Sequence, residues 1–215
     1  MSNDMLGSAL AMVAGPLKDF ADKLAGSEGE LWLQAFKRFL RKENPWETVE
    51  VESALTLTTF PIWRTLRIGG KTKDELIAEI ETAGMRISSY ARSMMDNEAF
   101  TTLIEPVEIR LVRPTVAELG FKKGAITRNV WKRAKDLGLK RCPAEVGPHL
   151  RLADADQVDG DYYWIGMEPI TDSGVYPRAF QVGHDDHGRW LGSDGARPDD
   201  HWDPGDRLVF VAPGA

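Results

Sequence analysis

A chain of 215 residues, 42% hydrophobic and 28% charged, can bury one large core or two small ones, which excludes a disordered or fibrous class. A single cysteine, Cys142, excludes an internal disulfide framework and a four-thiolate zinc site, and it suits a reducing compartment. The net charge of −6 is uneven: from Cys142 onward 14 acids face five arginines, so any basic face lies upstream.

No apolar run approaches the roughly 20 residues needed to cross a bilayer. The opening MSNDMLGSALAMVAG carries Asp4 and no Lys or Arg, unlike a secretory leader. A cytoplasmic chain with no membrane span is therefore expected. Residues 6–24 read as an amphipathic helix interrupted at Gly15-Pro16. Ser27 and Glu30 form an S-x-x-E capping box ahead of a second helix, ELWLQAFKRFLRK, which should stop near Asn44-Pro45.

Residues 49–68 alternate and are rich in Val, Thr and Leu, the strand period. Thr72 and Glu75 make another capping box, and Gly84 sits where a helix-ending glycine belongs. A short helix over 88–96 and a strand over 105–113 follow. Next come two predicted helical pieces, 115–119 and 126–137, closed by Gly138, a helix-turn-helix-like segment over 115–138. On the second piece Ile126, Val130, Ala134 and Leu137 share one stripe, and Arg128, Lys132 and Lys135 share another.

The tail reads as short strands, YYWIGMEPI, PRAFQV, RWL and RLVFVA, separated by turns at 172–174 and 186–188. YYWIGM and LVFVA are apolar without alternation, the pattern of central strands. Between RWL and RLVFVA, residues 192–206 show no periodicity and are expected to be a long loop anchored by Trp202. The organisation expected is α+β: N-terminal helices over 1–44, a mixed α/β part over 45–141, and a small, mainly antiparallel β domain over 142–215.

Chemistry concentrates in DDHGRW and DDHWDPGD. His184, His187 and His201 with nearby aspartates could ligate a metal, but glycine-rich turns hold ligands poorly. Whether metal binds is left open, and no cofactor is expected. No Gly-x-Ser-x-Gly and no phosphate loop appear, which leans the reading away from an enzyme. Cys142, before a proline, reads as a packed thiol.

Polar loops on a rigid aromatic frame are the logic of binding proteins. Asp185, Asp186, His187, Asp194, Asp199, Asp200, His201 and Asp203 are the expected contacts, with Trp190 and Trp202 as half-buried anchors. Such a face suits a protein or polyhydroxylated partner. The alternative is nucleic-acid binding through Arg128, Lys132, Arg133 and Lys135, because Lys122–Arg141 carries eight basic residues against one acid.

The succession FLRKENPW, PIWRTLRIG, VAELGF, LGLKRCPAEVGPHLRL, MEPI, GRWL and W-x-x-x-x-R-L-V-F-V resembles an uncharacterised protein family of small-genome environmental bacteria, over about Leu31 to Ala212. These motifs imply kinship and no chemistry. The tail also resembles the variable proteins of diversity-generating retroelements, where a C-type-lectin-like domain ends in a region whose template adenines are altered by reverse transcription. The slots Gly183–His187, Gly192–Asp194, Asp199–His201 and Asp203–Asp206 hold the Asp, His, Ser and Gly palette of such regions. The Gly-Phe-Arg ending of that group is replaced here by Arg207-Leu208-Val209-Phe210-Val211. This resemblance implies a C-type-lectin-like domain with exchangeable binding residues.

Overall fold

A computed structural model describes residues 15–26, 29–42 and 60–213. The chain forms two compact units, 1–57 and 58–215. In the first, residues 15–24 are helical (α1) and are followed by α2, Gly29–Leu40. The Phe20 and Phe36 rings meet at 4.6 Å, and Lys18–Asp22 and Asp19–Lys23 ion pairs bridge successive turns. The part of the expected helix before residue 15, the Ser27 cap, the stop at 44–45 and the first half of the 49–68 strand lie outside the described residues.

The second unit is built on a mixed, mainly antiparallel sheet. Its strands are β1 (Arg64–Ile68), β2 (Arg86–Ile87), β3 (Val107–Val112), β5 (Tyr162–Ile165), β6 (Ile170–Thr171), β7 (Pro177–Asp185), β8 (Gly188–Gly195) and β10 (Leu208–Val211). They lie in the order β1-β3-β10-β5-β7-β8-β2, with β6 pairing β7. Only β10 with β5 and β2 with β8 run parallel among these pairs. A separate ribbon joins β4 (Ala125–Ile126) to β9 (His201–Trp202). The helices are α3 (Lys73–Thr82), α4 (Ser89–Asp96), α5 (Thr127–Asp136) and α6 (Val146–Ala153).

Alternation along the central strands divides the interior in two, because successive side chains point to opposite faces. Leu111, Tyr163, Ile165, Val209 and Val211 join the core that holds α3, α4 and α6. Their neighbours Val112, Trp164, Leu208 and Phe210 join a second core with Val130 and Ala134 of α5 and with Trp202. Both faces of β10 are covered, hence its unbroken apolar run.

Local signals explain several elements. Thr72 and Glu75 form both bonds of their capping box at α3, and Gly84 takes the left-handed conformation (φ 71°) that ends it. Segment 115–119, expected to be helical, is a turn. Thr115 and Glu118 do bond reciprocally, but the N–H groups of Val116 and Ala117 donate to Asp206 and Pro204, tying the segment to the last loop. The expected 192–206 loop is shorter than anticipated, since β8 runs to Gly195 and β9 interrupts the rest.

The expected division at 141 does not separate two structural units. β1 and β3 from one side of it share a sheet with β5, β6, β7, β8 and β10 from the other, because β10 pairs with β3. The helix α6 lies just past it, packed on α3, β1, β7 and β8. From α6 the fully buried Arg151 donates to the carbonyls of Gly183 (2.8 Å) and Asp154 (2.7 Å) and to Gln157 Oε1 (2.7 Å). Asp154 accepts from Tyr163 Oη (2.8 Å) and pairs with Arg64. Cys142 is buried as expected of a packed thiol, and burial pushes its pKa well above the ordinary thiol value.

Candidate functional site

A cleft of about 440 Å³ opens where β7, β8, the 196–200 segment and β9 meet. Its aromatic walls are Trp164, Trp202 and Tyr176, and its carboxylates are Asp194, Asp200 and Asp206. The wall is rigid for identifiable reasons. Trp202 is buried, its indole N–H donates to Thr127 Oγ1 (2.9 Å), and its ring stacks on Trp131 and meets Trp164 edge-on at 5.3 Å. His201 is placed on the rim by the β4–β9 ribbon, with its ring over Gly124, where an added Cβ would come within 2.5 Å of Cε1.

The three carboxylates differ in their ties. Asp200 accepts the Arg197 N–H (2.8 Å) and the Tyr176 hydroxyl (3.2 Å), so it shapes the cleft as well as charging it. Asp194, exposed near the end of β8, accepts only the N–H of Gly195 among the described residues. Asp206 accepts the N–H of Asp203 (2.7 Å). Burial raises the Asp206 pKa, the Asp203 N–H opposes the shift, and the charges of Asp203 and Asp194 add to it. Arg178 also lines the cleft, but its guanidinium pairs with Asp172 and packs on Tyr90 at 4.1 Å. That leaves the cleft net acidic.

The structure divides the expected contact residues. Asp194, Asp200, His201 and Trp202 line this cleft. Asp203 lines an adjoining one that shares Trp164 and Asp206, and Asp199 is exposed on the segment between. Asp185, Asp186 and His187 sit at the other end of the β7–β8 hairpin, seven residue pairs along the register, or roughly 23 Å by strand rise. Trp190 lies near that end, its ring over the opposite Gly183 and over Gly192. Those two glycines have no room for a side chain, so they are fixed by packing and are not exchangeable slots.

The three histidines do not converge on a metal site. The His184 ring is hydrogen-bonded to the carbonyl of Gln157 (2.7 Å), while His187 and His201 occupy opposite ends of the hairpin. Asp185, Asp186 and His187 do bring one ligand atom each within 4.8 Å of one another. Asp185 is, however, engaged by Arg86 and the His187 N–H, and Asp186 by the His187 ring.

Of the basic residues expected on α5, Arg128 and Lys135 are exposed and carry no ion pair among the described residues. Lys132 pairs with Asp136, and Arg133 donates to the carbonyl of Leu119 (3.0 Å). Trp164, Tyr176 and Arg178 line the cleft without having been expected there from the sequence, and Asp206 was expected only as the end of the slot Asp203–Asp206. Only Asp206 carries a local signal, its place in DPGD between Trp202 and the last strand.

Fold and cleft together define an α+β protein with an acidic, aromatic-walled recess at one end of a hairpin. No model of a known protein family, no curated protein and no solved structure matches the chain. Among the described residues, no helix is long and apolar enough to cross a membrane.

Proposed function

We propose that the chain is a non-enzymatic recognition protein whose cleft between β8 and β9 takes a cationic group of its partner, a guanidinium or an ammonium. The observation that carries this reading is the convergence of Asp194, Asp200 and Asp206, from three segments, on a recess walled by Trp164, Trp202 and Tyr176. Carboxylates supply charge-assisted acceptors, and aromatic faces attract cations by about 0.5–2 kcal/mol. Exposed Asp199, His201 and Asp203 surround the recess and are free of core packing. In the diversified reading these, together with Asp186, His187 and Asp194, are the exchangeable positions. A gene-side repeat of the codons for 178–211 differing only at adenines, beside a reverse transcriptase, is its test.

Titration of the protein with Nα-acetyl-arginine amide, followed by tryptophan fluorescence, tests the cleft. Binding is expected at low salt, should weaken several-fold as salt is raised, and should be lost with the uncharged citrulline analogue. Asp194→Asn combined with Asp206→Asn should abolish it. Equal binding of the two probes, or none of either, overturns the reading.

Nucleic-acid binding at α5 is the rival, supported by the exposed cations Arg128 and Lys135. A mobility shift of duplex DNA that vanishes in Lys132→Glu would favour it.

A further inference from the structure

Beside the acidic cleft lies a second, of about 400 Å³ and different chemistry. Its walls are Trp131, Pro169, Pro177, Pro198 and Ala196, and Arg128 stands at its rim. The two recesses share a thin partition. Gly195 and Asp200 line the acidic side of the 195–200 segment, while Ala196 and Pro198 line the apolar side. At the start of β7, Tyr176 faces one cleft and the next residue, Pro177, the other. The aromatic layer is common as well, since Trp131 of the apolar cleft stacks on Trp202 of the acidic one.

Resting on the reading of the acidic cleft given above, we infer that the partner is a polypeptide segment that straddles this partition. A basic side chain enters the acidic cleft, an apolar side chain lies against Trp131 and the prolines, and a carboxylate near the apolar residue meets Arg128. Charge selects this occupant. Arg128 is exposed with no ion pair among the described residues, whereas the other arginine of the apolar cleft, Arg141, is already paired with Glu168. A nucleic acid would bring phosphates against three carboxylates, and a neutral polyol offers neither the cation nor the apolar group. A short peptide carries all three along one backbone.

The test uses the full chain, labelled with nitrogen-15, and three probes. These are Nα-acetyl-arginine amide, Nα-acetyl-leucine, and N-acetylated peptides in which arginine and a carboxy-terminal leucine are separated by glycine spacers of increasing length. Nα-acetyl-arginine amide should move the Trp202 indole N–H resonance first, and Nα-acetyl-leucine that of Trp131. The best spacer should bind at least about tenfold tighter than Nα-acetyl-arginine amide, because the second contact becomes intramolecular. Arg128→Ala and, separately, Pro198→Ser at the exposed wall should remove most of that gain, each measured against the binding of Nα-acetyl-arginine amide to the same variant. Failure of Nα-acetyl-arginine amide to bind sinks the acidic-cleft reading and this inference with it. If it binds but no spacer improves on it by more than about twofold, or if the gain survives both substitutions, the bridging peptide alone is overturned.

Discussion

Asp206 is held at a cost to the folded state. Burial and the neighbouring charges of Asp203 and Asp194 raise its pKa above the ordinary aspartate value. A carboxyl raised by folding contributes stability while protonated, and that contribution is lost as pH rises through its folded pKa. Asp206→Asn keeps an oxygen for the Asp203 N–H and removes the half-buried charge. The variant should therefore melt higher than the parent at neutral pH, with the difference vanishing below about pH 4, where both carry an uncharged side chain. A variant that melts lower at neutral pH would show that Asp206 is structural and not retained for a ligand. Which residues of the cleft were legible also has a residue-scale reason. Asp194, Asp200, His201 and Trp202 lie close together in sequence, amid turn chemistry that marks a surface. Trp164 and Tyr176 arrive through sheet register and loop packing, which no local pattern encodes.

Elements were legible where one face or one cap carried the signal. The capping box of α3 and the apolar stripe of α5 did so; α6 did not. Its sequence VGPHLRLA holds Gly147 and Pro148, both poor helix formers, and six of its eight residues are buried, so no polar stripe marks it. Gly147 is there because Phe180 leaves no room, an added Cβ falling 2.9 Å from its ring. The extent of β8 was hidden in the same way, since Gly192, Ser193, Asp194 and Gly195 lack strand preference. They are held as a strand by four of the eight register pairs along β7 and by the Trp190 ring lying over Gly183 and Gly192. A Cβ at Gly183 would stand 2.1 Å from that ring. Gly183→Ala should consequently destabilise by about 1–3 kcal/mol in urea denaturation and red-shift the tryptophan emission as Trp190 is pushed off the sheet toward solvent. An unchanged midpoint would mean that the ring can move aside at no cost.

At the scale of the molecule, the charge asymmetry about residue 141 is real, but the chain does not divide there. The sheet crosses it, and Arg151 stitches α6 to the β7–β8 hairpin from within the core. Burial lowers the Arg151 pKa from its ordinary value, while the charge of Asp154 supports the cation. Arg151→Met, similar in reach but unable to donate, leaves the carbonyls of Gly183 and Asp154 and the Gln157 side chain without this donor. A loss of about 3–5 kcal/mol is expected in urea denaturation, and a neutral result would show that an apolar chain fills the site equally well. A buried arginine in a helix with no polar face is not something that periodicity could announce.

Strand β10 carries a consequence for biogenesis. It lies between β3 and β5 and feeds both cores, yet among the described strands of this sheet it comes last in chain order, so it is made after both of its neighbours. Until Val211 has emerged, the halves of the sheet on either side of it present open edges, which are templates for pairing with other chains. The strand that joins the two halves of the sheet is thus made after the strands it joins, and neither half gains its inner neighbour before then.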